Sequence, residues 1–132
     1  MYSKRLVIIM EYSIKSLAKM AKISTRTLRY YDEIGLLPAK RTNSSGYRVY
    51  GQREVELLQQ IMFYRALEMP LEEIKKIVSS DNFDPISSLI KHKELILAKR
   101  AQLDLLLENI EKTLQSMKGE RLMSNEERFN GF

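Results

Sequence analysis

The chain has 132 residues, no cysteine, and a net charge of +5 at pH 7. The lack of cysteine excludes disulfides, thiolate zinc sites and cysteine nucleophiles, and it agrees with a cytoplasmic location. The basic excess lies in the first half, where residues 1–80 carry 14 Lys/Arg against 8 Asp/Glu, which predicts a polyanionic partner.

Residues 1–11 follow no clear period and are interpreted as an N-terminal extension, with a short additional strand as the alternative. Its apolar run, Leu6 to Met10, is too short for a signal sequence or a membrane span, so no membrane attachment is expected. Met10 is a second candidate for the native start.

Two short helices separated by a tight turn are predicted next. Ser13 is placed to cap the first helix, whose apolar residues recur at helical spacing from Ile14 to Ala21. Ser24 is placed to cap the second, and Gly35 suits the left-handed conformation that ends a helix. The pattern predicts a helix-turn-helix, whose second helix enters the major groove of DNA.

The second helix carries the candidate DNA contacts. Its first-turn amides and dipole favour a phosphate. Thr25 and Thr27 are predicted to donate to phosphates or base edges, and Arg26 to reach guanine or the backbone. Tyr30 lies one turn after Arg26 on the same face and is predicted to meet a phosphate or to stack.

Two neighbours on this helix are interpreted differently. Tyr31 shares a face with Leu28 and is expected in the core. Arg29 is left open, because an ion pair with Asp32 or Glu33 along the helix would account for it equally well.

A short β-hairpin is predicted after the second helix. Residues 43–46 read Asn-Ser-Ser-Gly, a turn signal, and the flanking segments alternate and are rich in aromatic and β-branched residues. A hairpin in this place is a wing, and Tyr47 and Arg48 are predicted to flank the duplex backbone.

Two further helices follow, one from Arg53 to Leu67 and one opened by Pro70 at its first helical position. Arg65 places a positive charge at the end of the first and is a further candidate DNA contact. A linker is predicted from Asp81 to Pro85.

A long helix is predicted from about Pro85 to Met117. Its apolar residues cannot be buried on the helix itself, and the chain offers no second long helix, so a coiled-coil homodimer is expected rather than an intramolecular hairpin. The predicted dimer contacts follow a seven-residue repeat, with a second seam position in the C-terminal half: Leu89, Ile96, Leu103, Leu107, Ile110, Leu114 and Met117.

The segment after Gly119 is interpreted as a linker, as the opening of a missing effector domain, or as a frayed end. Phe129 and Phe132 have no evident packing partner in the sequence pattern.

No residue pattern supports catalysis, a cofactor or a metal site. The only histidine, His92, lies between two lysines and is interpreted as an inert surface residue. Phosphate-binding glycine loops, nucleophile elbows, metal-ligand clusters and isolated carboxylate pairs are all absent from the sequence. The chain is therefore not expected to be an enzyme.

Several motifs, taken in order, resemble the DNA-binding domain of MerR-family regulators. They are Tyr12–Ile14, Ser24–Asp32, Gly35–Pro38, Gly46–Tyr50 and Met69–Ile74. The resemblance covers about residues 12–117. The tail, residues 123–132, is similar to the opening of the drug-binding domain in the thiostrepton-induced subgroup.

The resemblance implies a mainly α fold, a winged helix-turn-helix domain followed by a long dimerisation helix that forms an antiparallel coiled coil. The implied division is an extension at 1–11, a DNA-binding domain at 12–81, the dimerisation helix at 85–118, and a linker or effector-domain start at 119–132. Thr25, Arg26 and Tyr30 match the recognition helix, Tyr47 and Arg48 the first wing, and Arg65 the second wing.

The implied function is that of a bacterial transcription activator. Such homodimers bind a pseudopalindrome between −35 and −10 elements that are set too far apart, and they distort it so that RNA polymerase reads both elements. A promoter-blocking repressor of the same fold and a coiled-coil adaptor with a basic face remain alternatives. Any effector is unknown and is not expected to bind this chain, and thiol-based metal sensing is excluded.

Two residues depart from the family pattern. Gly51 stands where a serine cap is frequent, which predicts a less firm start to the third helix by a few tenths of a kcal/mol. Glu68 replaces a frequent glycine, and a left-handed conformation there would cost on the order of 1 kcal/mol.

Overall fold

The computed structural model describes residues 10–132, so residues 1–9 of the predicted extension lie outside the described part. The fold is mainly α, as expected. The described elements are β1 (Glu11–Ser13), α1 (Ile14–Ala21), α2 (Thr25–Glu33), β2 (Arg41–Thr42), β3 (Arg48–Gly51), α3 (Gln52–Ala66), α4 (Leu71–Val78), α5 (Pro85–Met117) and a 3₁₀ turn (Glu127–Phe129).

The chain divides into two compact units, and the boundary falls inside α5, between Ser88 and Leu89. The predicted domain limits at residues 81 and 85 lie close to it and stay predictions. None of the helices from residue 10 onward contains a stretch that is apolar and long enough to cross a bilayer.

Both helices of the helix-turn-helix begin at a serine whose side chain caps them, as predicted. Ser13 Oγ accepts from the amide of Ser16 at 3.1 Å, and Ser24 Oγ accepts from the amide of Thr27 at 3.0 Å. The turn between them depends on Lys22, which adopts the left-handed conformation at φ 58°. Gly35, at φ 75°, follows α2 in the same conformation, as its position predicted.

The core of the first unit forms where the apolar faces of α1 to α4 meet β3. The predicted helical faces supply most of it, and Tyr31 is buried as expected. Met62 of α3 lies outside this core and is 37% exposed. The buried hydrophobic residues are Leu17, Ala18, Leu28, Tyr31, Leu36, Leu37, Tyr50, Leu58, Ile61, Tyr64 and Ile74.

The wing is a three-stranded antiparallel sheet in the order β1-β3-β2, rather than the two-stranded hairpin predicted. The additional strand is β1, which shares only Glu11 with the extension for which the sequence left a strand open. Tyr12 of β1 lies opposite Tyr50, and Arg41 of β2 lies opposite Val49. A three-residue strand is too short to show an alternating pattern, which is why the sequence did not identify it.

The helix pair α3–α4 contains both departures from the family pattern. Gly51 precedes α3 and offers no side-chain cap, but Glu54 Oε1 accepts from its amide at 2.8 Å, which supplies the other half of a capping box. Glu68 is left-handed, at φ 62°. Pro70 is the residue before α4 rather than its first helical residue, one position from the prediction.

Helix α5 has 33 residues and is capped by Asp84, whose two oxygens accept from the amide of Ile86 at 3.2 Å and the hydroxyl of Ser87 at 2.6 Å. The Ser87 hydrogen bond, followed by the backbone amides, lowers the pKa of the Asp84 carboxyl. The predicted seam residues of α5 are all exposed, by 39–78%.

The interpretation of His92 as a surface residue is wrong, because the side chain is only 2% exposed. Its lysine neighbours gave a misleading signal. Successive residues of an α-helix project about 100° apart, so two charged neighbours do not determine which face the residue between them occupies.

The interpretation of the tail as a frayed end is also wrong. Residues 120–132 fold back on α5, and Asn109, which is 8% exposed, donates to the carbonyls of Arg128 and Asn130. Phe129 and Phe132 nevertheless remain 72% and 85% exposed. Hydrogen bonds to backbone carbonyls, rather than packing of the aromatic rings, hold the segment. Every residue has a carbonyl, so a sequence pattern cannot indicate which carbonyls are bound.

Candidate nucleic-acid interface

The exposed face of α2 carries two of the predicted DNA contacts. Arg26 is exposed, and Tyr30, one turn later, is 50% exposed. Leu28 and Tyr31 point into the core from the opposite face. The helix therefore has one face fixed by packing and one face available to a ligand, which is the requirement for a recognition helix.

The N-terminal turn of α2 is fixed by its cap. Ser24 Oγ accepts the amide of Thr27, and the two hydroxyls lie 2.9 Å apart in a further hydrogen bond. Thr27 is half-buried and its hydroxyl belongs to the cap, whereas Thr25 is half-buried without such a bond. Amides in the first turn have no carbonyl partner inside the helix, so those of Thr25 and Arg26 are available to a negatively charged ligand.

The tip of the wing is a tight turn built on Asn43. Its Oδ1 accepts from the amides of Ser45 and Tyr47, each at 3.0 Å, and its own amide donates to the Tyr47 carbonyl at 2.8 Å. Gly46 takes φ 83° in this turn. The turn holds the Tyr47 ring in solvent, where it is 70% exposed.

Arg48 is oriented toward the helix rather than into solvent. Its Nε donates to Asp32 Oδ2 at 2.6 Å, and both side chains are half-buried. The hydrogen bond with Asp32 raises the pKa of the Arg48 guanidinium, so the charge persists at every accessible pH. The pair joins β3 to the last turn of α2 and holds the wing against the recognition helix.

The ion pair with Arg48 also answers the question left open for Arg29. Within residues 10–132, Arg29 forms no ion pair with Asp32, whose carboxylate accepts from Arg48 instead. Arg29 is exposed on α2.

Arg65 closes the turn after α3. Its Nη1 donates to the Met69 carbonyl at 3.1 Å, and the rest of the guanidinium is exposed. The left-handed Glu68 lies inside the same turn, where its amide donates to the Arg65 carbonyl at 2.9 Å. The hydrogen bond to Met69 thus fixes the Arg65 side chain and leaves its other N–H groups able to bind a phosphate.

Ion pairing separates the basic residues of this unit into two groups. Lys40 and Arg41 both bind the Glu11 carboxylate, at 3.0 and 2.6 Å. The hydrogen bond from Lys40, together with the charges of Arg41 and Lys40, lowers the pKa of Glu11. Six of the nine Lys/Arg between residues 12 and 53 form no ion pair with any residue from 10 to 132: Lys15, Lys19, Lys22, Arg26, Arg29 and Arg53.

Five of those six belong to α1, α2 and the turn between them. The uncompensated positive charge of this unit is therefore concentrated on the helix-turn-helix itself, where a polyanion would be bound.

One polar group under the wing is buried without a partner. Tyr50 is fully buried, and its hydroxyl forms no hydrogen bond within the described part of the chain. Burial, followed by the nearby charge of Asp32, raises the pKa of this phenol. The ring acts as core for the sheet, and the neutral hydroxyl makes no contribution to a binding surface.

The structure adds two groups that the sequence did not identify, the Arg48–Asp32 pair and the Glu11 pairs with Lys40 and Arg41. The partners lie 16 to 30 residues apart, so helical spacing cannot reveal them. Across residues 10–132, no three His, Asp or Glu side chains gather into a group that would hold a metal ion.

The family pattern described as "MerR HTH family regulatory protein" matches residues 12–81, and that described as "MerR, DNA binding" matches residues 55–119.

Among similar proteins, the HTH-type transcriptional activator mta of Bacillus subtilis is 35% identical over 122 residues, which are 92% of this chain and 48% of mta. The HTH-type transcriptional activator TipA of Streptomyces coelicolor is 32% identical over 93% of this chain and 49% of its own length. The chain thus spans about half the length of these relatives.

A solved structure of the HTH-type transcriptional regulator SkgA from Caulobacter crescentus has the same fold. Its TM-score is 0.83 at 33% identity, and the match covers 93% of this chain and 88% of that chain. The relatives are transcription regulators and not enzymes, in agreement with the sequence prediction.

Proposed function

This chain belongs to the MerR family of helix-turn-helix regulatory proteins, and on that premise we propose that it binds double-stranded promoter DNA and regulates transcription. The proposed DNA-binding domain comprises residues 12–81. The proposed contacts are the seven predicted from the sequence: Thr25, Arg26, Thr27, Tyr30, Tyr47, Arg48 and Arg65.

One observation carries the proposal above the others. The face of α2 that is not used for packing presents Arg26 and Tyr30, and the unpaired basic residues cluster on the same pair of helices. Lys and Arg side chains neutralise phosphates and release counterions, while side chains of a recognition helix reach base edges. A coiled-coil adaptor would not require a capped helix that presents unpaired basic residues on its exposed face.

Regulation is proposed to be activation. The relatives mta and TipA are named as transcriptional activators. Activation in this family would require that the protein deform a promoter with an overlong spacer so that RNA polymerase reads both elements. The energy to deform the duplex would come from contacts on both sides of the site.

The proposed active form is a homodimer joined by an antiparallel coiled coil of α5, residues 85–118. The exposed seam of Leu89, Ile96, Leu103 and their successors supports it, because a helix with such a strip needs a partner helix. We propose that the dimer acts in the bacterial cytoplasm, that it needs no cofactor, and that any effector acts outside this chain.

The test is footprinting and fluorescence anisotropy of the purified chain with duplexes from the region next to its own coding sequence. We expect protection of one pseudopalindrome and an affinity that falls steeply as salt rises, with a slope set by the number of phosphate contacts. Equal affinity for all duplexes, or a flat salt dependence, would contradict the proposal.

In-vitro transcription on the protected promoter then separates activation from repression. Addition of the chain should raise the transcript level where the spacer is overlong. A decrease on that template would assign the chain to the promoter-blocking alternative.

A further inference from the structure

The C-terminal segment, residues 120–132, is held against α5 by side chains that the proposed function does not use. Asn109 Nδ2 donates to the carbonyls of Arg128 and Asn130, each at 3.0 Å. Gln102, two turns earlier, donates through Nε2 to the Gly131 carbonyl at 3.1 Å. A buried amide that satisfies two backbone carbonyls fixes a segment firmly, because its loss leaves unpaired polar groups in the interface.

Gly131 shows how closely the segment approaches the helix. It has φ +89°, and a Cβ there would lie 3.0 Å from both Leu105 Cβ and the Leu106 amide nitrogen. Any other residue would have to shift the segment away from α5. Asn109 on the helix and Gly131 on the segment therefore both permit the segment to lie close against α5.

The segment and the C-terminal half of α5 form an apolar groove of about 520 Å³. Ile110, Leu114 and Met117, the last three positions of the predicted dimer seam, line it from the helix. Arg128 and Phe132 line it from the segment. The groove thus joins the seam to the folded-back segment.

The position of the groove on the helix indicates what fills it. Consecutive residues of an α-helix project about 100° apart, so Asn109 and Ile110 place the segment and the seam on adjacent faces. A helix packed along the seam would also cover the edge of the segment. No other helix in residues 10–132 has a length comparable with α5, and the repeat that ends in the groove begins at Leu89.

We propose that residues 120–132 form part of the dimerisation surface, latched by Asn109 so that Phe132 contacts α5 of a second copy of the chain. This inference rests on the proposed homodimer and adds a contact that the seven-residue repeat does not contain. It also assigns a role to the two aromatics of the tail: Phe132 faces the partner helix and Phe129 does not.

The two phenylalanines provide a matched pair for the test. Both are largely exposed in the single chain, so neither supports its fold, but only Phe132 lines the groove. Sedimentation equilibrium of the full chain should show that Phe132→Ser raises the dimer dissociation constant about ten-fold, as for a central interface aromatic. Phe129→Ser should leave it within about two-fold of the unaltered chain.

A second variant tests the latch. Asn109→Asp keeps the shape of the side chain but removes the N–H groups that bind the two carbonyls, so the segment should detach and the dissociation constant rise by a similar factor. Gln115→Glu places the same added charge on α5, where Gln115 makes no side-chain hydrogen bond to the segment, and should have little effect. Circular dichroism at a concentration where each variant is dimeric should show equal helix content.

The outcomes distinguish the inference from the proposed function. If the unaltered chain dimerises while Phe132→Ser and Phe129→Ser have equal dissociation constants, or Asn109→Asp matches Gln115→Glu, the inference is wrong and the proposed dimer stands. A monomeric unaltered chain would overturn both.

Discussion

Two roles for Arg48 lead to different predictions, because its guanidinium is bound to Asp32 at 2.6 Å. As a brace, it holds the wing against α2 and affects DNA indirectly. As a direct contact, it uses its remaining N–H groups on a phosphate. The bond to Asp32 occupies Nε alone, so both roles are compatible with the geometry.

The variants Asp32→Asn and Arg48→Ala separate these roles. As a brace, each should lower the free energy of unfolding by about 1–2 kcal/mol, the range for a charge-assisted hydrogen bond in a half-buried site, and weaken DNA binding equally. Urea unfolding and anisotropy measure the two effects. If Arg48→Ala weakens DNA binding at least ten-fold more than Asp32→Asn, the side chain is a direct contact.

Among residues 10–132, Arg26 has no such partner, and it is predicted to act on DNA alone. Arg26→Ala should reduce affinity for the specific duplex by about ten-fold or more, as for loss of a base or phosphate contact, and leave stability unchanged within about 0.5 kcal/mol. Lys91→Ala removes the same charge from α5 and is the control. Similar affinity losses for the two variants would show that net charge, and not the recognition helix, determines binding.

The sequence predicted the exposure of single residues where a helical face was complete. Tyr30 and Tyr31 were separated correctly, because Leu28 fixes which face is buried. It did not predict that Arg48 would be paired, since Asp32 lies 16 residues earlier and only the fold brings them together.

At the scale of elements, Glu68 forms the turn between α3 and α4 at φ 62°, a conformation that favours glycine. The left-handed φ meets the condition under which the sequence predicted a cost on the order of 1 kcal/mol at this position. The turn forms nonetheless, because Arg65 binds the Met69 carbonyl across it and the amides of Glu68 and Met69 are hydrogen-bonded.

Glu68→Gly should therefore stabilise the chain, by about 0.5–1 kcal/mol after the entropy cost of glycine is subtracted. Urea unfolding at a fixed chain concentration measures it. Glu68→Ala is the control, because it removes the carboxylate but keeps the Cβ. If Glu68→Ala raises the free energy of unfolding as much as Glu68→Gly does, the charge of Glu68, and not its backbone conformation, is unfavourable.

Strand β1 is joined to residues 40 and 41 by Glu11, whose pKa is lowered from its ordinary value of 4.5. A lowered carboxyl pKa stabilises the fold above the unfolded value, and that contribution disappears as the pH falls through the folded value. The difference in Tm between the unaltered chain and Glu11→Gln should be small at pH 7, since these pairs are exposed, and should shrink as the pH falls below the ordinary value of 4.5 and through the folded pKa. A difference that does not shrink as the carboxyl becomes protonated would contradict the ionic origin.

Element boundaries were predicted from the sequence to within about one residue wherever a cap was present. Ser13, Ser24 and Gly35 each mark an end that the structure places there. The sequence failed to predict β1 and the docked tail, because both depend on contacts with distant backbone. The strand bonds of β1 are independent of side-chain type, and the carbonyls that Asn109 and Gln102 bind lie 19 to 29 residues further along the chain, so no local pattern precedes either element.

The proposed function of the whole molecule requires two helix-turn-helix units on one duplex. The seam of α5 extends over about 42 Å from Leu89 to Met117, at 1.5 Å per residue, and all of its described side chains are exposed. Burial of this strip against a second helix is proposed to give the dimer its stability.

A charge in the middle of the seam should therefore dissociate the dimer. Leu103→Glu places a carboxylate where a partner leucine would pack, and it is expected to raise the dimer dissociation constant by at least about 100-fold. Gln115→Glu adds the same single charge to α5 outside the seam and is the charge control. Sedimentation velocity at several concentrations measures this, and a Leu103→Glu chain that remains dimeric would place the interface elsewhere.

The most direct test of the proposed function is the stoichiometry of the complex between the chain and its protected duplex, measured by analytical ultracentrifugation with labelled DNA. We expect two chains per duplex across the whole range of saturating concentrations, with the Leu103→Glu chain binding only weakly. A complex of one chain per duplex with the same affinity, or no complex at low salt, would contradict it.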